Sequence, residues 1–582
     1  MQSVAARYYS RSVASARTVV RSSEAVLIVL AVGVGLGAGL ATVIIHQLAH
    51  ALQSLLYGIG SDSLSASADI PFVRLLALPV AGLVLGFGSR AVLRRWRTPV
   101  DIVEANALHG GMIPWRDTAV VCVQTIISNG GGASVGLEAA YGQAGGGLAS
   151  LLGSWLKLRR IDLRTLVGAG AGAAIGAAFK APLTGAFYGF EIVLGAYTPA
   201  AIAPVGAACI AAVLLVRVLG FEAYLTAIPG AHAITTMDYL LYALLGVVCA
   251  AIAIAIMRAV TWIETHARSL PVADAYRPAI AGIILIPLAM VTPQALSAGH
   301  GALHLDLGAQ VAFQFLAIVL CAKVAASAVS LGFGFRGGLF FASLFIGSLV
   351  GQLFAGASAY LTALPPLDPG DAALIGMAAM GVAIIGAPMT MSMLVLETTH
   401  DFALTGVALV AGLCASTLVR ETFGFSFSTW RLHTRGENIR SARDVGWIRN
   451  LTAGKMMQRS PDTIASSATV DEFRRRFPLG STGRVVVLND SGRYLGIVET
   501  TKAFDPGLAA ETAMGSVAGT EDPALSPSED VRSIMQSFDV SDAPYLAVID
   551  DDGTLLGTLS ERFVRRRYAE EVEKAQRELF GE

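Results

Sequence analysis

The feature that most constrains this chain is a set of long segments that contain no Asp, Glu, Lys or Arg. Three of them cover residues 25–61, 339–367 and 372–396. A helix of about 20 apolar residues crosses the hydrocarbon core of a bilayer, so each segment is long enough to do so. Other apolar runs are interrupted by Gly, Pro or one ionisable residue, which is typical of tilted or broken membrane helices. The sequence therefore predicts an α-helical polytopic membrane protein.

The remaining charges predict the orientation of the chain in the membrane. Residues 1–24 hold four arginines against the single acid Glu24 and show no short apolar core with a cleavage site. Positively charged flanks stay in the cytoplasm. From about Arg431 onward, charged residues become dense and apolar runs shorten to strand length. We therefore expect a cytoplasmic segment at 1–24, a transmembrane domain at 25–440 in the inner (plasma) membrane, and a soluble cytoplasmic C-terminal region.

Composition excludes several classes of function. The net charge of −1 excludes a nucleic-acid-binding protein that relies on bulk charge. The five cysteines lie in apolar surroundings without paired spacing, which excludes a disulfide framework and a cysteine zinc site. An enzyme is the least expected class, because no nucleophile–base pair or metal cluster stands out. We expect no required cofactor.

The membrane region contains two similar halves. Residues 181–191 and 387–397 both begin with Ala-Pro and place a Glu nine residues after the Pro. A Gly-rich helix start precedes each of them, at Gly136 and at Gly338. Two similar halves with broken helices are typical of a transporter whose site lies near the middle of the membrane. The two predicted repeats cover about residues 25–220 and 236–430.

The C-terminal region contains a second repeat, with a spacing of 61 residues. Residues 485–498 and 546–559 share a strand, an Asn/Asp-rich turn with Gly, and another strand. This pattern predicts a β-hairpin. Helix-like segments precede both hairpins, where Val470 matches Val531. We expect two α+β modules and a charged amphipathic helix, with bounds of 449–505, 510–565 and 566–582.

Together these segments resemble the CLC family of chloride channels and chloride/proton antiporters, followed by a tandem pair of CBS modules. Residues 168–191 are similar to the family's Phe-Asn-Ala-Pro-Leu-Ala-Gly stretch that ends in Glu. Residues 131–140 are similar to its Gly-Lys/Arg-Glu-Gly-Pro helix start, and residues 337–342 to its Gly-Gly-x-Phe-x-Pro motif. The resemblance covers about residues 25–440 and 449–565. It implies two inverted repeats and a homodimer with one anion pathway per subunit.

An anion in a bilayer needs favourable electrostatics without a fixed cation that would trap it. Helix N-termini provide unpaired N–H groups and about half a positive charge each. We therefore expect the anion at the two Gly-rich helix starts, and the resemblance adds Ser428, which stands where the family has its anion-coordinating Tyr. The anion-binding residues so predicted are Gly136, Leu137, Gly338, Leu339, Phe340 and Ser428. The alternative is that the glycines only permit close helix packing.

Glu138 is the predicted gate. A carboxylate at a helix N-terminus is itself suited to the anion site, so it can block that site until a proton or a chloride ion displaces it. The resemblance implies the same role. The alternative is an ordinary acid that stabilises the start of its helix. A proton path would run through Glu138 and Glu191, but Glu191 and Glu397 are equally interpreted as structural carboxylates at helix ends.

The chain departs from the family at several positions. Residues 95–99 keep only the Pro of the family's Gly-Ser-Gly-Ile-Pro motif, so no Ser ligand is expected there. Ile192 stands where antiporters often carry a second Glu that relays protons, and it binds no proton. Lys180 replaces an Asn and either adds positive potential to the pathway or extends to the interface. His300 and His304 have a spacing that suits a metal but no third ligand, so they are interpreted as surface or loop histidines.

The CBS resemblance implies a cleft for an adenine nucleotide. Its expected contacts are Thr500, Thr501 and Ser560, although the usual Asp of the ribose-binding pattern is missing after Ser560. A purely structural or dimerising role is the alternative. The leading hypothesis is thus a homodimeric chloride channel, or a weakly proton-coupled transporter, that the CBS pair modulates. The alternatives are a strict chloride/proton antiporter, a CBS-regulated cation transporter and a non-conducting sensor.

Overall fold

The computed structural model divides the chain into two compact units, Met1–Asp444 and Val445–Glu582. The predicted N-terminal segment lies outside the described residues except for Glu24. Trp96 and Arg97, which stand where the family has its Gly-Ser-Gly-Ile-Pro motif, also lie outside them. The residues that the structure describes are 24–59, 63–95, 98–221, 234–308, 312–359, 366–433, 451–518, 523–541 and 543–580.

The first unit is helical, and its helices fall into two series of similar order. The first series is α1 Glu24–Tyr57, α2 Phe72–Leu75, α3 Ala77–Arg95, α4 Ile102–Leu108, α5 Trp115–Gly130, α6 Glu138–Leu156, α7 Arg160–Phe179, α8 Pro182–Tyr188 and α9 Pro199–Val218. The second series is α10 Thr236–Ser269, α11 Arg277–Val291, α12 His300–Gly308, α13 Phe313–Gly332, α14 Phe340–Ser358, α15 Pro369–Ile385, α16 Pro388–Thr399, α17 Phe402–Thr422 and α18 Phe427–His433. A π-helical turn, Gly189–Leu194, continues α8.

In the described part of this unit, eight helical segments are long and apolar enough to cross a membrane. This confirms the predicted multi-pass membrane protein. Four other helices or helical stretches are much shorter than a bilayer is thick, among them α8 and α16. Both of these begin with Pro at the first helical position, where its missing N–H costs no hydrogen bond and its fixed φ suits the helix.

Glycine pairs let the central helices of each series pack closely. A Cβ atom at Gly145 of α6 would lie 2.1 Å from the carbonyl oxygen of Gly170 in α7, and one at Gly347 of α14 would lie 2.3 Å from that of Gly376 in α15. Only glycine permits so close a backbone approach. The two pairs occupy matching places in the two series, so this packing is repeated. These glycines lie inside the helices and are distinct from Gly136 and Gly338 at the helix starts.

The turns between these helices also match. Lys180 directly follows helix α7 and Gly386 directly follows helix α15, both with left-handed backbone (φ 53° and 84°). Each is followed by Ala-Pro, which starts the next short helix. A left-handed residue is the usual way to end a helix, and Gly adopts it without strain. Lys180 therefore has a conformational role at this turn, which neither sequence-based interpretation of it anticipated.

The second unit contains two three-stranded sheets. Its elements are α19 Ala453–Met456, β1 Gln458–Arg459, β2 Thr463–Ala465, α20 Val470–Arg476, β3 Arg484–Leu488, β4 Tyr494–Glu499, α21 Thr500–Ala503, α22 Met514–Val517, α23 Val531–Ser541, β5 Tyr545–Ile549, β6 Leu555–Ser560 and α24 Glu561–Phe580. One sheet has the order β2-β3-β4 and the other β1-β6-β5. The antiparallel pairs β3–β4 and β5–β6 confirm the two predicted hairpins.

The predicted bounds of the modules do not match this packing. Strand β1 pairs with β6 of the second hairpin, and Ala453 and Met456 lie in the second hydrophobic core. Conversely, Met514 lies in the first core, and its N–H donates to the carbonyl of Ala468. The leading segment of each module thus packs on the other module, an exchange that local sequence patterns do not reveal. Helix α24 also begins at Glu561, five residues before the predicted start.

Candidate functional site

The candidate site forms where the two helical series meet. Gly136 and Gly338 lie just before α6 and α14, and each N–H donates to the carbonyl oxygen of the other, with N–O distances of 2.9 Å and 3.3 Å. This antiparallel bridge places the first turns of α6 and α14 side by side. Because a helix N-terminus carries about half a positive charge, two of them at one point create a place that attracts an anion.

The bridge corrects part of the predicted anion site. Gly136 and Gly338 are both predicted to belong to the anion site, but in the structure the N–H group of each donates to the carbonyl of the other. A donor that is already paired with a carbonyl is not available to an ion. The glycines hold the helix starts together instead. Gly136 must also remain small, because a Cβ atom there would collide with the carboxylate of Glu138.

The carboxylate of Glu138 lies between the two helix starts. The residue is only 4% exposed, and its carboxylate interacts with its own N–H group and with that of Phe341 in the first turn of α14. Its Oε2 atom has no hydrogen-bond partner among the residues that the structure describes. An acid buried in a membrane protein is costly, and the positive ends of two helices offset part of that cost. An anion at this point would meet the same N–H groups.

A cavity of about 130 Å³ opens beside this carboxylate; we call it the gate cavity. Four of the predicted anion-binding residues line it, namely Gly338, Leu339, Phe340 and Ser428. Leu137 lines a different cavity. The side chains with a charge or a hydroxyl group in the gate cavity are Asp101, Glu138, Tyr188, Arg336, Ser428 and Arg431. The lining of the gate cavity thus combines two cations, two acids and two hydroxyl groups.

Sequence reasoning missed Tyr188. It ends α8, is 9% exposed, and its ring centroid lies 6.0 Å from that of Phe340. It therefore supplies a hydroxyl group to the gate cavity in addition to that of Ser428. The available signal was its spacing of four residues from Ile192, which puts both side chains on one face of a helix. Arg336 was missed as well, although it directly precedes the Gly337-Gly338 motif.

Asp101 and Ile192 mark the departures from the expected site. Asp101 precedes α4, and its Oδ1 accepts a hydrogen bond from the N–H of Val103 at 3.0 Å. Asp101 lines the gate cavity and lies close in sequence to residues 95–99, where the family resemblance places the Ser motif. Its carboxylate is already bound to the first turn of α4. Ile192 lines the gate cavity and also a neighbouring cavity that contains Glu191. The predicted place of a proton relay therefore holds an apolar side chain.

Glu191 and Glu397 bind backbone groups, as the structural interpretation expects. Glu191 accepts from the N–H groups of Met389 and Thr390 at 3.0 Å and 2.9 Å, and from the hydroxyl of Thr390 at 2.6 Å. Glu397 accepts from the equivalent groups of Leu183 and Thr184, each at 2.8 Å. Both carboxylates thus satisfy the unpaired donors of a helix start. These contacts do not favour Glu191 as a proton station.

His300 and His304 lie on a helix and not in a loop. Both lie on helix α12, both are partly buried, and both line the same cavity as Leu137. Their spacing of four residues is consistent with a helix. The cavity that they line is completed by residues of α1, which is remote in sequence. Among the described residues, no group of three His, Cys, Asp or Glu side chains is placed to hold a metal ion.

The predicted nucleotide contacts in the C-terminal unit have structural partners. The hydroxyl of Thr500 is buried and donates to the carbonyl of Thr482 at 2.7 Å. Ser560 precedes α24, and its Oγ accepts from the N–H of Phe563 at 3.3 Å, as a helix cap does. Thr501 is exposed. Two of the three hydroxyl groups therefore stabilise the fold of their own module.

Comparison with known proteins adds an independent line of evidence. A family model described as "Voltage gated chloride channel" matches residues 81–420 of the 582. Among curated proteins, the Voltage-gated ClC-type chloride channel ClcB of Escherichia coli O81 (strain ED1a) is 27% identical over 380 residues, which covers 62% of this chain and 87% of that protein. The family match ends before the C-terminal unit begins.

Two solved structures share the fold. A slow cyanobacterial Cl−/H+ antiporter superposes with a TM-score of 0.62 at 23% identity, covering 70% of this chain and 97% of the other. A eukaryotic CLC transporter superposes with a TM-score of 0.58 at 17% identity, covering 92% of this chain and 97% of the other. At these identities the likeness concerns the fold alone.

Proposed function

This chain belongs to the voltage-gated chloride channel family, and we propose that it carries chloride across the membrane past the carboxylate of Glu138. The observation that supports this most directly is the position of that carboxylate, buried between the starts of α6 and α14. A chloride ion and the carboxylate compete for the same N–H groups, and two anions do not share one small site. Glu138 is therefore the gate.

A proton opens this gate. A neutral carboxyl group gains little from the positive helix ends, so a protonated Glu138 leaves the site to chloride. Chloride flux accordingly rises as the pH falls. High chloride concentration acts in the same direction, because it displaces the charged carboxylate by competition.

The gate cavity supplies the rest of the path. Arg336 and Arg431 offset the negative charges of Asp101 and Glu138 at its lining. A chloride ion that loses water needs donors to replace it. The hydroxyl groups of Tyr188 and Ser428 provide two, and the N–H groups in the first turn of α14, at Phe340 and Phe341, provide others.

We propose channel-like or weakly proton-coupled movement. A strict chloride/proton antiporter needs a second group that binds a proton on the far side of the gate. Ile192 lines both cavities at that place and carries none, and three donors occupy the oxygens of Glu191. The antiporter is the second candidate, because the same fold occurs in the cyanobacterial antiporter.

Proteoliposomes with an outward chloride gradient test both candidates. We expect chloride efflux without uphill proton movement when the internal pH is followed with a dye. Protons driven uphill by the chloride gradient would establish the antiporter instead. No chloride efflux in any condition would contradict both candidates.

We propose that the C-terminal unit is a tandem CBS pair, and that it modulates transport by holding the two subunits of a homodimer together. Its two matching α+β modules and their exchanged leading segments support this interpretation. The contacts of Thr500 and Ser560 favour a structural role over an adenine nucleotide site. Calorimetry with ATP is expected to show no binding, and the molecular mass in detergent is expected to be that of a dimer. ATP binding that Thr501→Ala weakens would restore the nucleotide interpretation.

A further inference from the structure

The gate cavity contains an acid that the proposed gate does not use. Asp101 lines this cavity together with Glu138. It also caps helix α4, because its Oδ1 accepts from the N–H of Val103 at 3.0 Å. A helix cap requires a side-chain oxygen but no charge, since Asn and Ser cap about as well as Asp. Capping alone therefore does not explain a carboxylate in an anion path.

Asp101 lies close to the groups that would hold a chloride ion. Tyr188, which supplies a hydroxyl group to the gate cavity, interacts electrostatically with both Asp101 and Glu138. A sphere with the volume of this cavity, about 130 Å³, is about 6 Å across, which is shorter than the Debye length of about 8 Å at physiological ionic strength. A chloride ion in the cavity is therefore repelled by the charge of Asp101.

The charges at the lining of the gate cavity form a balance. Arg336 and Arg431 stand against Asp101 and Glu138, so two positive charges face two negative ones while the gate is closed. When a chloride ion takes the place of the Glu138 carboxylate, one negative charge replaces another and the balance is kept. Without the charge of Asp101, the two cations would face the chloride ion alone and would bind it more tightly.

We propose that Asp101 sets the anion affinity of the gate cavity, because its fixed negative charge keeps chloride binding weak enough for the ion to leave. This inference rests on the proposed function. A conducting site must attract an ion strongly enough to admit it and weakly enough to release it. The two arginines provide the attraction, and Asp101 limits it. Asp101 is thus an affinity-determining residue of the pathway as well as the cap of α4.

Chloride binding to the purified full-length protein, measured by calorimetry at neutral pH, tests this proposal. The background protein is Glu138→Gln, in which no gate carboxylate competes with the ion. Adding Asp101→Asn keeps the cap of α4 and removes the charge. We expect chloride to bind about tenfold more tightly than to the background protein, because a repulsive charge near the ion is lost. Equal affinity in the two proteins, or no binding to either, would overturn the proposal.

Two further variants separate the charge of Asp101 from its part in the fold. Asp101→Glu in the same background keeps the charge, so we expect it to bind chloride as weakly as the background protein. Asp401→Asn is the matched control and should leave chloride affinity unchanged. Asp401 caps α17 by accepting from the N–H groups of Ala403 and Leu404 at 2.8 and 3.0 Å, and it is not among the residues that line the gate cavity. Equally tight binding in Asp101→Glu or in Asp401→Asn would contradict a role for the charge of Asp101.

Chloride efflux from proteoliposomes supplies a second measurement on the same proteins. With Asp101→Asn, we expect half-maximal efflux at a lower chloride concentration and a lower maximal rate, because the ion leaves more slowly. A lower maximal rate at an unchanged half-saturating concentration would indicate a purely structural role and overturn the proposal. Binding does not require transport. Failure of chloride efflux by the parent protein would therefore contradict the proposed function, whereas the calorimetry would still decide the role of Asp101.

Discussion

Glu191 and Glu397 occupy equivalent positions in the two repeats, and each carboxylate binds the first turn of the short helix that carries the other. A reciprocal contact of this kind is the mark of a two-fold relation. Gly136 and Gly338 show the same reciprocity in their hydrogen bonds. The predicted inverted repeats require such a relation, and both contacts hold the two halves together around Glu138.

Replacing either acid should weaken the fold. Glu191→Gln and Glu397→Gln should each lower the free energy of unfolding by about 1.5–3 kcal/mol, because each loses charged hydrogen bonds to two N–H groups and a hydroxyl. Thermal unfolding in detergent measures this, with the exposed Glu421→Gln as control. If Glu191→Gln left stability unchanged and stopped coupled proton movement, Glu191 would be a proton station after all.

Tyr188 should contribute to anion affinity. Tyr188→Phe removes one hydroxyl group from the gate cavity, and we expect chloride to bind about tenfold more weakly, since a hydrogen bond to a charged group contributes about 1.5 kcal/mol or more. Ser428→Ala should have an effect in the same direction. Tyr276→Phe, at an exposed position, serves as the control. Unaltered chloride affinity in Tyr188→Phe, measured by calorimetry, would remove Tyr188 from the pathway.

Ile192 should limit proton coupling. Ile192→Glu places a titratable group where two cavities meet, and we expect proton movement driven by a chloride gradient to appear or increase. Ile192→Gln has similar size and polarity but binds no proton, so it should leave coupling at the parent level. Proteoliposomes with a pH-sensitive dye measure the difference. Identical proton movement in the two variants would mean that position 192 plays no part in coupling.

Lys180 should destabilise the turn that it forms. A left-handed residue other than Gly or Asn carries a strain of about 1–2 kcal/mol, so we expect Lys180→Asn to raise the free energy of unfolding by about 1 kcal/mol. Lys180→Ala keeps the strained backbone and should not raise it. Chemical denaturation in detergent compares the three proteins. A loss of chloride flux in Lys180→Asn without any gain in stability would show instead that the charge of Lys180 serves the pathway.

Local sequence patterns were sufficient for some features of the fold. The charge-free segments 25–61 and 339–367 predicted membrane helices, whereas 372–396 is divided between α15 and α16, which are both shorter than the eight candidate spans. The Asn/Asp-Gly turns predicted the hairpins β3–β4 and β5–β6. The two Gly-rich helix starts were identified because they recur at nearly one spacing. These features depend on residues that are close in the chain, so their physical causes are visible in short windows.

Features that depend on remote contacts were not predictable in the same way. The bridge between Gly136 and Gly338 and the partners of Glu191 arise only once two helical series face each other. The cavity that His300 lines is completed by His46, which is 254 residues away in the chain. Likewise, strand β1 pairs with β6 across the whole C-terminal unit. Sequence periodicity indicates a buried face without identifying what covers it.

The central claim is that the charged carboxylate of Glu138 blocks the anion path, and chloride efflux at alkaline pH tests it most directly. Near pH 8 the carboxylate of Glu138 is charged, so the block is present in the parent and absent in the variant. In proteoliposomes with matched amounts of folded protein, we predict that Glu138→Gln carries chloride at least about tenfold faster than the parent, which corresponds to about 1.4 kcal/mol of lost blocking free energy. Efflux from Glu138→Gln that is equal to or slower than that of the parent would contradict the account.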